Sequence, residues 1–169
     1  VGNTLYFSAD DGSSGSELWK SDGTDAGTVM VKDIRSGSDG GTSYMDKLAV
    51  VGNTLYFRAN DGVHGSELWK SDGTTAGTVM VKDIYSGNIS GTATSSQPGD
   101  LTAIGNTLYF RANDGSSGPE LWKSDGTTAG TVMVKDIDPG STGSYPDQLT
   151  VVGNTLYFSA DDGSSGSEL

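Results

Sequence analysis

Short stretches of this chain alternate between apolar and polar residues. In the stretch TLYFSA, Leu5, Phe7 and Ala9 fall on one face and the intervening residues fall on the other. A period of two residues is typical of a β-strand. The recurring stretches ELWK and TVMVKDI are also rich in aromatic and β-branched residues, which favour pleated structure. Turn-forming sequences of Asp, Gly and Ser separate the stretches. No segment has a helical period, so the pattern predicts an all-β protein.

A further apolar stretch precedes each Gly-Asn pair, namely KLAVV at 47–51, LTAI at 101–104 and QLTVV at 148–152. Gly-Asn is a strong signal for a two-residue hairpin turn, so this stretch is predicted to pair with TLYF as a fourth strand. The resulting unit is a four-stranded antiparallel meander. Adjacent residues such as Leu18 and Trp19 point to opposite faces of it, and we therefore expect each sheet to pack against a neighbour on both sides.

The same unit recurs along the chain. The sequence GNTLYF begins at Gly2, Gly52, Gly105 and Gly153, at spacings of 50, 53 and 48 residues. From that Gly to the Ile of VKDI every complete copy has 33 residues, and the length differences fall in the loop that follows. We divide the chain into repeat 1 at residues 1–51, which lacks its first strand, repeat 2 at 52–104, repeat 3 at 105–152 and a partial repeat 4 at 153–169. Four-stranded blades at this period predict a β-propeller-like fold. An open linear or superhelical stack of the same sheets is the alternative.

The two ends of the sequence overlap. Residues 152–169 repeat residues 1–18 letter for letter. By the predicted strands, repeat 1 lacks its KLAVV-type strand and the last repeat lacks its TVMVKDI strand. Unpaired sheet edges bind other strands readily. We therefore expect either a window on a longer repeating polymer or ends that pair with another copy.

Composition narrows the classes of partner. The 169 residues include 10 Lys and Arg against 22 Asp and Glu, a formal net charge of −12. Such a field repels phosphate backbones and anionic lipid headgroups, so neither nucleic acid nor membrane insertion is expected. Cysteine is absent, which excludes disulfides and thiolate metal sites.

The sequence ELWKSDGT, followed by AGTVMVKDI and, in repeat 3, by DPG at 138–140, resembles the ELWxxDGT repeat of large secreted or surface-attached prokaryotic proteins. The resemblance covers the whole chain. The first two repeats depart from the DPG ending, with RSG at 35–37 and YSG at 85–87. The resemblance implies a propeller-like fold, an extracellular or cell-surface location and parent proteins with many repeats. It carries no catalytic residues, and these proteins have no assigned biochemical role.

Few residues are candidates for chemistry. His64 is the only histidine, and Ser occupies its position in the other copies, so a loop substitution is favoured over a general base or a metal ligand. Arg35, Arg58 and Arg111 are the only arginines. We do not favour a carboxylate clamp, because Arg58 and Arg111 are equivalent by the repeat and symmetry is expected to keep them far apart.

The acidic loops DDGSSG and NDGSSG raise the question of calcium, which takes carboxylate and carbonyl oxygens. The spacing argues against it, because the positions two and four residues before the Asp that precedes Gly12 hold Ala9 and Phe7. Asp and Asn side chains that close a turn on their own backbone explain the pattern better. No cofactor is therefore predicted, with calcium as a minor alternative.

Agreement between the repeats at nearly every position argues against an enzyme, since an active site usually breaks the repeat. The sequence predicts a non-catalytic extracellular structural repeat module of a surface, matrix or filament-forming protein. Its partners would be other copies of itself or neighbouring repeats of a longer chain. The alternative is a β-propeller that binds glycan or a surface protein through its variable loops.

The variable loops at 35–47, 85–100 and 138–147 are predicted to project from one side and to make partner contacts. Alternatively, they are tolerated linkers. The candidate contact residues are Tyr44, Met45, Tyr85, Ile89 and Tyr145. The Trp residue of each ELWK is predicted to be a buried anchor between sheets, with a glycan-stacking ladder as the alternative. These residues are Trp19, Trp69 and Trp122.

Overall fold

A computed structural model describes residues 1–42 and 48–169 as a series of small antiparallel sheets, and these residues contain no helix. The all-β prediction is confirmed. The strands of the first two sheets are β1 (Leu5–Asp10), β2 (Ser16–Ser21), β3 (Val29–Lys32), β4 (Ala49–Val51), β5 (Thr54–Asn60), β6 (Ser66–Ser71) and β7 (Val79–Lys82). The remaining strands are β8 (Asn88–Ile89), β9 (Thr92–Ala93), β10 (Gly99–Ile104), β11 (Thr107–Asn113), β12 (Pro119–Ser124), β13 (Val132–Lys135), β14 (Asp147–Val152), β15 (Thr155–Asp161) and β16 (Ser167–Glu168).

Each sheet is a meander whose neighbouring strands are consecutive in the chain. The first sheet has the order β1-β2-β3, the second β4-β5-β6-β7, the third β10-β11-β12-β13 and the fourth β14-β15-β16. A separate hairpin, β8-β9, lies in the loop after the second sheet. The sequence did not predict this hairpin. The sheets described form no closed barrel or ring.

The predicted Gly-Asn turns join strands at the expected places. β4 ends at Val51 and β5 begins at Thr54, so Gly52 and Asn53 form a two-residue turn. Gly52 has a φ of 60°, and Asn53 does not have a positive φ. A left-handed residue only at the first central position is the pattern of a type II′ turn, which Gly accommodates without steric cost.

Two core clusters hold the first three sheets together, one at each of the two junctions between them. At junction 1, between the first and second sheets, Leu18 and Val31 pack against Phe57 and Trp69. At junction 2, between the second and third sheets, Leu68 packs with the equivalent Trp122 and its neighbours. Leu68 and Trp69 are adjacent in β6 but belong to different clusters, so the second sheet buries both of its faces, as the alternation predicts.

The face of the first sheet that points away from junction 1 is more open. Leu5 in β1 is 64% exposed, whereas the equivalent Leu55 in β5 is 2% exposed. The difference arises because no other described sheet covers that face. The 33-residue unit therefore has the same strands in each copy, and the burial of its side chains depends on its neighbours.

Candidate functional site

The Glu residue of each ELWK is completely buried beside the end of its own repeat. In repeat 2, one carboxylate oxygen of Glu67, Oε1, accepts a hydrogen bond from the backbone N–H of Ser96 at 2.9 Å. The other oxygen, Oε2, accepts from the N–H of Ile84 at 3.0 Å and from the hydroxyl of Ser96. A buried carboxylate is stable only with such partners. Glu67 therefore fixes the return of the loop onto β6.

The same arrangement occurs in the other two complete repeats. Glu17 accepts from the N–H groups of Ile34, Arg35 and Gly41 at 3.0, 3.2 and 2.6 Å. Glu120 accepts from the N–H of Ile137 at 3.2 Å and from the N–H and hydroxyl of Ser144 at 2.8 and 2.6 Å. The acceptor is constant, although the loops that it holds differ in length and sequence.

Burial shifts the pKa of two of these carboxyls, those of Glu17 and Glu67. Desolvation raises the pKa of Glu17 and of Glu67 above its usual value, and the hydrogen bonds that each carboxylate accepts oppose part of this rise. The nearby negative charges of Asp33 and Asp83 add to it. These glutamates are fully buried and bind the backbone of their own loops, so their position fits a structural role.

Each loop then crosses from its own sheet to the next. The N–H of Gln97 donates to the carbonyl oxygen of Ser66 at 3.2 Å, and the N–H of Asn113 donates to the carbonyl oxygen of Ser96 at 2.9 Å. Equivalent pairs of bonds are made by residues 41–42 and 144–145. We call residues 41–42, 96–97 and 144–145 the crossing segments. Since they bind the backbones of two neighbouring sheets, this part of each loop is integral to the fold.

The predicted contact residues are placed in different surroundings. Tyr44 and Met45 lie outside the described residues. Ile89 projects from the β8-β9 hairpin and is 63% exposed, and Tyr145 in the third crossing segment is 58% exposed. Tyr85 is partly buried, with its ring against the Gly115 turn of the next repeat. The loops thus contain both exposed tips and packed bases.

The three predicted Trp anchors differ in how far they are buried. Trp69 and Trp122 are each 6% exposed and belong to the clusters of junctions 1 and 2. Across each junction a lysine ammonium lies over the indole ring, Lys32 over Trp69 and Lys82 over Trp122, at 5.7 Å from the ring centre in both cases. Trp19 lies on the more open face of the first sheet and is only partly buried.

The acidic loops are closed by hydrogen bonds of the kind that the sequence indicated. The carboxylate of Asp11 accepts from the N–H groups of Ser13 and Ser14 at 2.9 and 2.8 Å, which lower the pKa of Asp11 to about 2. In repeat 2 the His64 ring nitrogen Nδ1 lies 2.7 Å from Asp61 in the equivalent turn. That hydrogen bond raises the pKa of His64. His64 is therefore part of the acidic-loop turn of repeat 2 that Asp61 closes.

One cavity brings equivalent residues of neighbouring repeats together. It has a volume of about 360 Å³, and Arg58 of β5 and Arg111 of β11 both line it. Gln97 and Tyr145, from two successive crossing segments, form its edge. The expectation that symmetry would keep the two arginines far apart is therefore wrong. Stacked sheets lie only about 10 Å apart, so equivalent long side chains on adjacent sheets can reach one space.

Within residues 1–42 and 48–169 there is no group of three or more His, Asp or Glu side chains that could hold a metal ion. The same residues include no helix long and apolar enough to span a membrane. In comparisons with known proteins, no family model, no curated protein and no solved structure matches this chain.

Proposed function

We propose that this chain is a non-catalytic structural repeat module of an extracellular surface, matrix or filament-forming protein, built from stacked β-propeller-like blades. The observation that carries the proposal is the repetition of one set of contacts at junctions 1 and 2. At junction 1, Lys20 donates to the carbonyl oxygen of Gly73 and Lys32 donates to that of Thr78, both at 2.8 Å. At junction 2, the equivalent Lys70 and Lys82 make the same bonds to the next repeat.

These equivalent bonds have the same length. Lys70 donates to Gly126 and Lys82 to Thr131, both at 2.8 Å. A threonine hydroxyl adds a further bond in each case, from Thr75 to the carbonyl oxygen of Val31 and from Thr128 to that of Val81, again at 2.8 Å. All of these donors and acceptors lie within the 33-residue units. Junction 2 thus repeats the contacts of junction 1, and equivalent contacts between neighbouring repeats are what a structural array requires.

The partners that this proposal implies are other copies of the chain or neighbouring repeats of a longer one. The extracellular location rests on the resemblance to the ELWxxDGT repeat. The arrangement of many repeats is a propeller ring in our proposal, with an open stack of the same sheets as the alternative. Binding of glycan or protein through the loops is a second function, and the cavity with two arginines favours it.

The test uses chains that contain one to five additional copies of residues 52–104. If each repeat adds an equivalent junction, the free energy of unfolding in urea and its dependence on urea should rise with every added copy until cooperativity is lost. Small-angle X-ray scattering distinguishes the two arrangements. The maximum dimension of an open stack grows by about 10 Å per repeat, whereas that of a ring stops growing once about four to eight blades are present.

A stability that does not change with copy number would contradict the proposal, because the added repeats would then make no junction. A matched control carries Lys70→Met and Lys82→Met in every copy. These changes keep the apolar part of each side chain and remove the ammonium that crosses to the next sheet. We expect the control chains to gain less stability per repeat than the parent series.

A further inference from the structure

A short acidic turn follows each TLYF stretch. We call residues 10–15, 60–65, 113–118 and 161–166 the acidic turns. The third residue of each is a Gly with a φ between 77° and 84°, a conformation that residues with a Cβ rarely adopt. Each acidic turn therefore presents one face of its backbone without a side chain of its own.

In three of the four acidic turns a side chain from the preceding repeat lies against this Gly. In each case it belongs to the first residue after VKDI, which we call the first loop residue. These residues are Arg35, Tyr85 and Asp138. A Cβ on Gly62 would lie 3.3 Å from Nε of Arg35. A Cβ on Gly115 would overlap the ring of Tyr85. A Cβ on Gly163 would overlap the carboxylate of Asp138. The Gly of each turn thus makes room for the first loop residue.

The remaining acidic turn shows that this contact is made between repeats. Gly12 has a φ of 82°, as its equivalents do, but no described residue lies within 4 Å of the place where its Cβ would be. No described repeat precedes the first sheet. The contact joins constant sequences, with VKDI before the first loop residue and Asp-Gly in the turn. The first loop residue is therefore the part of the contact that changes type at every junction.

The N–H groups of an acidic turn are already paired within the turn. In repeat 3 the N–H of Gly115 donates to the side chain of Asn113 at 2.7 Å, and the next two N–H groups donate to Asp114 at 2.8 Å. The surface left for the preceding repeat is the Cα and the peptide plane of the Gly, which a flat ring can cover. Tyr85 supplies that ring at junction 2. At junction 1 the stem and guanidinium of Arg35 can pack in the same way.

Asp138 fits its acidic turn less well. We call the contact between the third and fourth sheets junction 3. In its turn, the N–H of Gly163 donates to Asp161 at 2.8 Å, and the next two N–H groups donate to Asp162 at 2.9 and 2.7 Å. These donors are thus already engaged when Asp138 brings a further carboxylate to the turn. Asp138 and the turn both line a cavity of about 510 Å³, and a short side chain fills less of it than a ring would.

We infer that each acidic turn is a docking surface for the first loop residue of the preceding repeat, and that this residue determines how strongly two neighbouring repeats associate. The inference rests on the proposed array of repeats. The partner that fits the turn is a repeat, in the same chain or in a second copy, with an aromatic or guanidinium side chain at that position. Aspartate gives the weaker junction. One variable residue thereby sets where the array holds and where it opens first.

The test is native-state hydrogen exchange of the full chain, labelled with ¹⁵N and followed by NMR. Two amides report on single junctions, because the N–H of Asn113 donates to Ser96 across junction 2 and that of Asp161 donates to Ser144 across junction 3, both at 2.9 Å. Tyr85→Asp should speed exchange at Asn113 by about tenfold, since it removes the packed ring. Tyr85→Phe is the matched control, and it should change that rate by less than about twofold, since the ring stays.

The opposite change should strengthen junction 3. Asp138→Tyr places a ring against a turn with the sequence DGSSG, which is also the sequence that Tyr85 meets in repeat 3. Exchange at Asp161 should slow by at least about threefold. This variant gains a contact, so it stays informative even if Tyr85→Asp unfolds part of the chain. Unchanged exchange at Asp161 in Asp138→Tyr would overturn the inference, as would unchanged exchange at Asn113 in Tyr85→Asp.

A double-mutant cycle shows whether the ring docks on the Gly itself. Gly115→Ala should speed exchange at Asn113, and this effect should shrink by at least about threefold when Tyr85 is also replaced by Ala, because the ring no longer occupies the place of the new Cβ. Gly12→Ala is the control with a similar φ, and its effect should be independent of Tyr85. Independent effects of Gly115→Ala and Tyr85→Ala would refute the docking of the ring on this turn.

The outcome separates this inference from the proposed array. If stability rises with copy number but neither Tyr85→Asp nor Asp138→Tyr changes exchange at its junction, the array stands and the role of the first loop residue is refuted. If both exchange rates change as expected while stability does not rise with copy number, the docking contact is supported and the array is refuted.

Discussion

Replacement of Glu67 tests whether one buried carboxylate holds the loop of repeat 2 in place. Glu67→Ala removes the acceptor of two backbone N–H groups, those of Ile84 and Ser96. Each N–H group that stays buried without an acceptor costs about 1–3 kcal/mol. The loss for two such groups is about 4 kcal/mol, which is a large part of the stability of an ordinary domain.

Glu67→Gln is a milder version of the same change. The amide keeps the volume of the side chain but has only one acceptor oxygen, so its NH₂ group faces one of the two backbone donors. We expect a loss of about 2 kcal/mol, half that of the alanine variant. Glu168→Gln is the matched control, because Glu168 has the same sequence position in the partial repeat but is exposed. Its effect should stay within about 0.5 kcal/mol.

The measurements are urea unfolding followed by tryptophan fluorescence, and hydrogen exchange of single amides by NMR. In the parent chain the amides of Ile84 and Ser96 should exchange slowly, because both donate to the buried carboxylate. In Glu67→Ala they should exchange faster than amides in the centre of β6. If Glu67→Ala lies within about 1 kcal/mol of the parent and both amides stay protected, the carboxylate does not hold the loop.

Trp69→Ala should cost about 3–5 kcal/mol of unfolding free energy, and Trp19→Ala clearly less, because Trp19 lies on the open face; equal costs in urea unfolding would contradict the anchor role. Because the folded-state pKa of Glu17 and Glu67 is raised, the free energy of unfolding should increase as the pH falls from 7 towards the unfolded-state pKa of Glu, near 4.5. Below pH 3.8 the free energy of unfolding should decrease, because turn carboxylates with a lowered pKa, such as Asp11, become protonated. The increase in unfolding free energy between pH 7 and pH 4.5 should be smaller in Glu67→Gln. Urea titrations at several pH values measure this increase and the decrease at lower pH. Gly65→Ala should cost at least about 2 kcal/mol more unfolding free energy than Gly52→Ala. A Cβ at Gly65 would overlap the carbonyl oxygen of Thr94, whereas a Cβ at Gly52 meets nothing within 4 Å. Similar melting temperatures of the two variants would show that the contact at Gly65 relaxes.

Much of the fold could be predicted because it depends on local patterns. Alternation in TLYF and the Gly-Asn turn determine which strands pair and which side chains share a face. The opposite directions of Leu68 and Trp69 follow from the same period of two. The second sheet accordingly buries both faces, as the pattern indicated.

The buried glutamates were not predicted, because a Glu at the start of a strand is usually exposed. One signal was present: ELWK retains its Glu in every copy while the following loop changes. The meeting of Arg58 and Arg111 was also missed. Repeat symmetry separates equivalent residues along the chain, but stacking places them side by side, and no sequence period shows the distance between sheets.

The lysine and threonine bonds at the junctions have a consequence for how such a chain can change over generations. The lysine donors and the carbonyl acceptors of these bonds lie in sequence that the complete copies share, and the threonine donor recurs in repeats 2 and 3, so duplication of one of these coding segments adds a blade together with these contacts. Loss of one segment removes both. Unequal recombination between the nearly identical copies can therefore alter the length of the array in one step, without a compensating substitution at any interface.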